Sequence, residues 1–171
     1  MTTSTLPIGA DPEQTHEDSC QCLTFYLLDE VFGIDIRSVR EIIQTSHVTH
    51  VPLAPDFIHG VINLRGSVVP VIDLKVRFGW PQVDPGPRTC ILICEASSDG
   101  ESLILGLMVD AVSEVVEIQA HDIEEPPPFG TLVKREYLSG LGRLGKKFIP
   151  ILAPQRALDV EEMAGATPTA L

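Results

Sequence analysis

Basic residues are scarce in this chain of 171 residues: 12 Lys and Arg stand against 24 Asp and Glu, for a formal net charge of −12. Nucleic-acid binding needs Lys and Arg to displace phosphate counterions, so no nucleic-acid partner is expected. Long apolar runs are also missing. The most apolar stretch, Gly60 to Leu74, is interrupted by Asn63, Arg65, Pro70 and Asp73, short of the ~20 apolar residues of a spanning helix. The N-terminus has neither a basic n-region nor an apolar h-region, which speaks against a secretory signal and for a cytoplasmic location.

Recognisable chemistry is equally thin. The five histidines never form H-E-x-x-H, no cysteine pair has C-x-x-C spacing, and there is no G-x-S-x-G elbow. Neither a metal, a cofactor nor a catalytic constellation is therefore expected. Cys20, Cys22, Cys90 and Cys94 fall in strand-like runs and read as reduced packing thiols. Cys90 and Cys94 would stand about 13 Å apart along a strand rising ~3.3 Å per residue.

What is present is a β-rich body with acidic ends. Seven acids and no Lys or Arg occupy residues 1–19 and 159–171, leaving a net −5 for residues 20–158. At 44% hydrophobic the body can build a core, and flexibility is expected only in the two tails. The 13 glycines and 14 prolines punctuate short Val- and Ile-rich runs, which favours many strands and tight turns.

Leu23–Leu28 and Val31–Ile36 read as a hairpin turning at Asp29-Glu30. Ile36, Val39, Ile42 and Ile43 recur at three- and four-residue spacing, which predicts a short helix. Val48–Val51 reads as a strand stopped by Pro52. Three further hairpins are Phe57–Leu64 with Val68–Ile72, Thr89–Glu95 with Leu103–Val109, and Leu138–Leu144 with Lys147–Leu152.

The chain also resembles itself. Laid so that Gly33 falls on Gly106, Gly33–Ile43 matches Gly106–Val116 without gaps and keeps nearly every apolar position. Laid so that Phe57 falls on Tyr137, Phe57–Gly66 meets Tyr137–Lys146, and Val68–Ile72 meets Phe148–Leu152. Two copies of one strand, helix and hairpin unit are implied. A half of about 70 residues is marginal alone, so the halves should pack together, each closing its edges into a small barrel. The seam between them is the natural groove, with matched positions such as Val39 and Val112 approaching from either side.

Gly140-Leu141-Gly142-Arg143-Leu144-Gly145 is a literal G-x-G-x-x-G, and with Lys146 it nearly completes a phosphate loop. That chemistry needs a helix to follow, whereas Lys147–Ile151 reads as a strand, so the glycines read as turn and bulge residues. A nucleotide-binding enzyme built on Gly140 to Lys146 is the competing reading, and a small-ligand-sensing domain a third. Arg65 stands out instead. It is the only charged residue from Gly60 to Ile72, it sits at a hairpin turn, and its repeat mate is Gly145. The scaffold does not require an arginine there. A forked guanidinium on a rigid hairpin suits an acidic or amide-rich partner. The Ile36, Val39 and Ile42 stripe could face a partner helix laid along the seam.

Phe57-Ile58-His59-Gly60-Val61-Ile62-Asn63-Leu64-Arg65-Gly66 followed by Val69-Pro70-Val71-Ile72-Asp73-Leu74 resembles the CheW family of chemotaxis coupling proteins. Further matches are Phe32–Ile36 with Val39–Ile42, then Gly106–Val112 and Tyr137–Gly142, so the likeness runs from Leu23 to about Leu158. The resemblance implies a mainly β fold of two intertwined five-stranded β-barrels with short helices. Barrel one would cover about 24–86, and barrel two about 87–158 plus the N-terminal strand. It implies no catalysis: such proteins join the cytoplasmic tips of chemoreceptors to the histidine kinase CheA in membrane-associated arrays. Carried over by position, the receptor-binding arginine is Arg65, beside Asn63 and Gly66. The receptor's helical hairpin would lie in a groove lined by Leu23, Ile36, Val39, Ile42 and Val112, with Glu41 at its border. The kinase's regulatory domain pairs through barrel ends, where no motif here assigns residues. There is no room for the kinase's own phosphotransfer and ATP-binding domains, so a stand-alone coupling protein is implied.

Overall fold

The computed structural model describes residues 19–45, 48–98, 100–127 and 133–157. The expected flexible tails lie outside these residues, except for Ser19, which opens the first strand.

Eleven strands form two sheets among the described residues: β1 (Ser19–Leu27), β2 (Glu30–Asp35), β3 (Val39–Gln44), β4 (Ile58–Leu64), β5 (Ser67–Asp73), β6 (Cys90–Ser98), β7 (Glu101–Val109), β8 (Ala111–Gln119), β9 (Ile123–Glu124), β10 (Leu138–Leu144) and β11 (Lys147–Leu152). One sheet runs β8-β1-β2-β11-β10-β9 and the other β3-β6-β7-β5-β4. Each curls into a half-barrel, and the two carry the same plan. β2–β11 and β5–β7 are the parallel joins. Two short helices, α1 (Leu74–Arg77) and α2 (Pro154–Ala157), follow the matched strands β5 and β11.

The expected mainly β fold of two intertwined units is therefore found, and strands of the two halves are exchanged between the sheets. β1 does join the second-half strands, and so does β2, while β6 and β7 cross over to pair with β3, β5 and β4. The chain changes sheets at two equivalent corners. The first is a 3-10 turn at Ile36–Ser38, capped by the Asp35 side chain accepting from Arg37 N. The second is Asp110, between β7 and β8. Asp110 ties that corner down: its carboxylate accepts from Leu28 N at 2.6 Å and from Lys75 Nζ at 2.7 Å, the lysine being almost wholly buried.

The helix expected across Ile36 to Ile43 is instead that 3-10 turn followed by strand β3. The cause is a β-bulge. β3 pairs with β6 as Val39 opposite Cys94, Glu41 opposite Ile93, Ile42 opposite Leu92 and Ile43 opposite Ile91, with the register shift between Val39 and Glu41. Directly opposed residues share a sheet face. The extra residue thus sets Val39 and Ile42 on one face at a spacing of three, which imitates helical periodicity. The matched stretch, which the repeat assigned to the same expected helix, is strand β8. The expected strand Val48–Val51 shrinks to a single bridge, Thr49 to Val61, because Pro52 offers no donor and Leu53 turns away at φ 68°.

The main core lies between the sheets. It gathers Leu23, Phe25, Phe32, Ile34, Leu92, Cys94, Leu107 and Leu138, among others. Phe78 and Trp80 pack at a tilt against Phe32 with centroids 6.1 and 6.2 Å away. Smaller clusters fill each half-barrel, Ile62, Val69, Val71, Ile91 and Ile93 in one and Cys22, Ile118 and Ile151 in the other. No helix among the described residues is long and apolar enough to cross a membrane.

Candidate functional site

Arg65 and Gly66 are the two central residues of the β4–β5 hairpin, with φ of 52° and 90°. Positive φ at both positions makes a type I′ turn, whose twist matches the flanking strands. Glycine takes this backbone freely, but for arginine the left-handed region costs energy, of order 1 kcal/mol. The repeat mate of Arg65 is Gly145, at φ 65°. One copy thus keeps the unstrained residue and the other carries an arginine despite the strain, the kind of outlier that points to function. Asn63 holds the turn, its Oδ1 accepting from Gly66 N at 2.9 Å. It is a shaping residue.

The Arg65 guanidinium reaches back to β3 and forks onto Glu41, with Nη1 donating to Oε2 at 2.8 Å and Nη2 to Oε1 at 3.3 Å. The arginine side chain is 75% exposed and the glutamate 30%. An ion pair this open adds little to stability, so its structural consequence is to hold the guanidinium in place. The pair stands at the mouth of its half-barrel, beside a cavity of about 460 Å³ lined by Leu64, Ser67, Val69, Ile93 and Ile104 as well.

The apolar positions lie on the other face of β3. Val39 is half-buried and packs on the inter-sheet core, as do Ile36 and Val112. Ile42 is 46% exposed, one step further along the same face. On the outermost strand of the other sheet, Val112 opposes Phe25 and Val115 opposes Leu23, so these two also share a face. The repeat therefore supplies two matched apolar pairs, Val39 with Ile42 on β3 and Val112 with Val115 on β8, each on one face of an outermost strand. Leu23 is only 4% exposed and is part of the inter-sheet core. Glu41 opposes Ile93, on the opposite face from Ile42. The ion pair and the apolar stripe accordingly flank the edge strand β3 rather than sharing one wall.

Val115, 51% exposed, is a candidate that the sequence reading did not single out, and the signal was available: the gap-free self-match that sets Val39 on Val112 also sets Ile42 on Val115.

The glycine-rich segment is strand β10 and the turn into β11, with no helix after it. Gly140 and Gly142 serve close packing, since a Cβ at Gly140 would stand 2.8 Å from Ile123 Cγ2 and one at Gly142 2.8 Å from Ile118 Cδ1, while Gly145 supplies the positive φ of the turn. All four cysteines are free. Burial pushes the Cys20 and Cys22 thiols up, and their sulfurs lie 3.3 Å apart. Burial alone pushes Cys94 to about 12, so these thiols stay protonated near neutrality. Among the described residues no group of three or more His, Cys, Asp or Glu could hold a metal ion.

The model of the CheW-like domain family matches residues 21–162. Among curated relatives, chemotaxis protein CheW of Klebsiella aerogenes is 39% identical over 142 residues, 83% of this chain and 83% of the relative. Chemotaxis protein CheW of Treponema pallidum is 28% identical over 152 residues, 89% of each. The crystal structure of the scaffolding protein TtCheW from Thermoanaerobacter tengcongensis superposes with a TM-score of 0.73 at 37% identity, covering 82% of this chain and 88% of that one.

Proposed function

This chain belongs to the CheW-like domain family, and from that premise we infer that it is a non-enzymatic coupling scaffold of a chemotaxis-type pathway. It joins the cytoplasmic signalling tips of chemoreceptors to the regulatory domain of a histidine kinase. The receptor's helical hairpin lies along the groove walled by Val39 and Ile42 on one side and Val112 and Val115 on the other, over the Ile36 and Leu23 floor. Arg65 engages the receptor at the edge of β3, exchanging the Glu41 carboxylate for an acidic or amide group of the partner.

The observation that carries this reading is the uncopied, strained and exposed Arg65, held ready by a forked pair with Glu41. Arginine suits such a site because its planar donors match a carboxylate or amide in two-point geometry. The matched half-exposed side chains support a helical partner, since an amphipathic helix buries its apolar face in such a groove. Neither an enzyme using Gly140 to Lys146 nor a ligand sensor gains support from the site.

The test is Arg65→Glu. The variant retains the thermal unfolding temperature of the parent, because the pair it breaks is exposed, and loses affinity for a purified receptor signalling-tip fragment. Normal receptor binding by a folded Arg65→Glu protein would remove Arg65 from the site.

A further inference from the structure

A β-bulge leaves backbone groups out of the ladder, and buried groups of that kind need another partner. β1 and β8 pair with a register shift between Leu23 and Phe25: Leu23 opposes Val115 and Phe25 opposes Val112. Ser113 and Glu114 are thus set against the single residue Thr24. Thr24 is 2% exposed, and its hydroxyl does two things at once. Oγ1 donates to the Glu114 carbonyl oxygen at 2.7 Å and accepts from Glu114 N at 3.1 Å.

The matched bulge on β3 has no such device. There Ile93 stands opposite Glu41, with no hydroxyl to offer, and Glu41 is instead gripped through its carboxylate by Arg65. Glu41 and Glu114 are repeat mates in the same self-match that pairs Val39 with Val112. The two copies therefore anchor equivalent glutamates by different means, an exposed guanidinium in one and a buried hydroxyl in the other.

We propose that Thr24 is a positioning residue for receptor binding: its hydroxyl pins the bulge that sets Val112 and Val115 together on the groove face. β8 is the outermost strand of its sheet, so β1 alone holds its ladder. Without the hydroxyl, both backbone groups of Glu114 lose their partner, and a one-residue slip would turn Val115 away from the groove. The inference rests on the groove reading given above and adds a residue that touches no partner.

The experiment compares Thr24→Val, which keeps the shape and removes the hydroxyl, with Thr24→Ser, which keeps the hydroxyl. Amide exchange at Glu114 and Val115 and affinity for a purified chemoreceptor signalling-tip fragment are measured on the full chain. Thr24→Val is expected to speed exchange at Glu114 and weaken the receptor fragment's binding, each by roughly tenfold, as for loss of a hydrogen-bonded pair. Thr24→Ser stays near the parent in both. Should the valine variant not fold, Thr24→Ala removes the same hydroxyl with less crowding and carries the same expectation. Unchanged exchange at Glu114 overturns the pin. Faster exchange with undiminished receptor affinity overturns the positioning role. Ile42→Asp, on the wall that Thr24 does not touch, separates the two failures. If it weakens binding while Thr24→Val does not, only the role of Thr24 falls, and if both bind normally the groove reading falls with it.

Discussion

Ile42 and Val115 are repeat mates on the outermost strands β3 and β8, 46% and 51% exposed, and that symmetry makes a quantitative test of the proposed groove. Fully burying a Val or Ile side chain stabilises by about 1.5–3 kcal/mol. With half of each surface already covered, about 1 kcal/mol remains to be gained when a partner closes over it. Val115→Ala and Ile42→Ala should each weaken receptor-tip binding by roughly fivefold on that basis. An aspartate forfeits the same contact and adds the cost of burying an unpaired carboxylate, at least ~2 kcal/mol. Val115→Asp and Ile42→Asp should therefore each weaken binding by roughly 100-fold, from about 3 kcal/mol in total. Folding should suffer far less, because both side chains already meet water and β-propensity differences span only about 1 kcal/mol. Titration calorimetry with a receptor signalling-tip fragment measures the affinities, and thermal unfolding followed by Trp80 fluorescence measures the fold. If both aspartate variants bind within about twofold of the parent while remaining folded, the walls do not meet the receptor and the magnitude argument fails with them.

The repeat also makes a pair of glycine substitutions informative. A Cβ at Gly106 would stand 2.7 Å from Ile91 Cγ2, whereas one at its mate Gly33 would sit 3.4 Å from Ile149 Cγ2. Denaturant unfolding should show Gly106→Ala destabilised by about 1–3 kcal/mol and Gly33→Ala within about 1 kcal/mol of the parent; equal losses would refute the packing described. The buried thiols predict an alkaline limit to stability. Cys94, raised by burial from 9.0 to about 12, keeps its proton in the folded chain while the unfolded chain releases it near pH 9. Its contribution is therefore complete below pH 9 and is lost as pH climbs toward 12, and the raised Cys22 acts in the same sense. Unfolding temperatures measured from pH 8 to 11 should fall more steeply for the parent than for Cys94→Ala, and parallel slopes would contradict the assignment.

The hairpins were legible in the sequence because their signals are local. β10 and β11 occupy the residues expected of them, and Asn63 and Gly66 hold the turn that their types suggest. The β3 segment was misread because a bulge produces a three-residue spacing that no period count can tell from a helix. β8 was misread with it, since the repeat transferred the same error to Val112–Val116. The crossing of β1 and β2 to the far sheet was legible only in part, since pairing partners are set by tertiary contacts between halves. Glu41 as the grip on Arg65 could not be read from spacing, because 24 positions separate them. Thr24 was invisible for a related reason: its partner Glu114 lies 90 positions away, and a threonine in a strand has no signature of its own.

In the proposed complex a receptor helix lies between β3 and β8 with Arg65 at the edge. Amide and methyl chemical-shift mapping of the full chain, titrated with a receptor signalling-tip fragment, tests it most directly. Perturbations should concentrate at Val39, Ile42, Val112, Val115 and Arg65, on both walls at once. Perturbations confined to the exposed Pro81–Arg88 loop or to the barrel mouth around Phe148, with β3 and β8 silent, would contradict it.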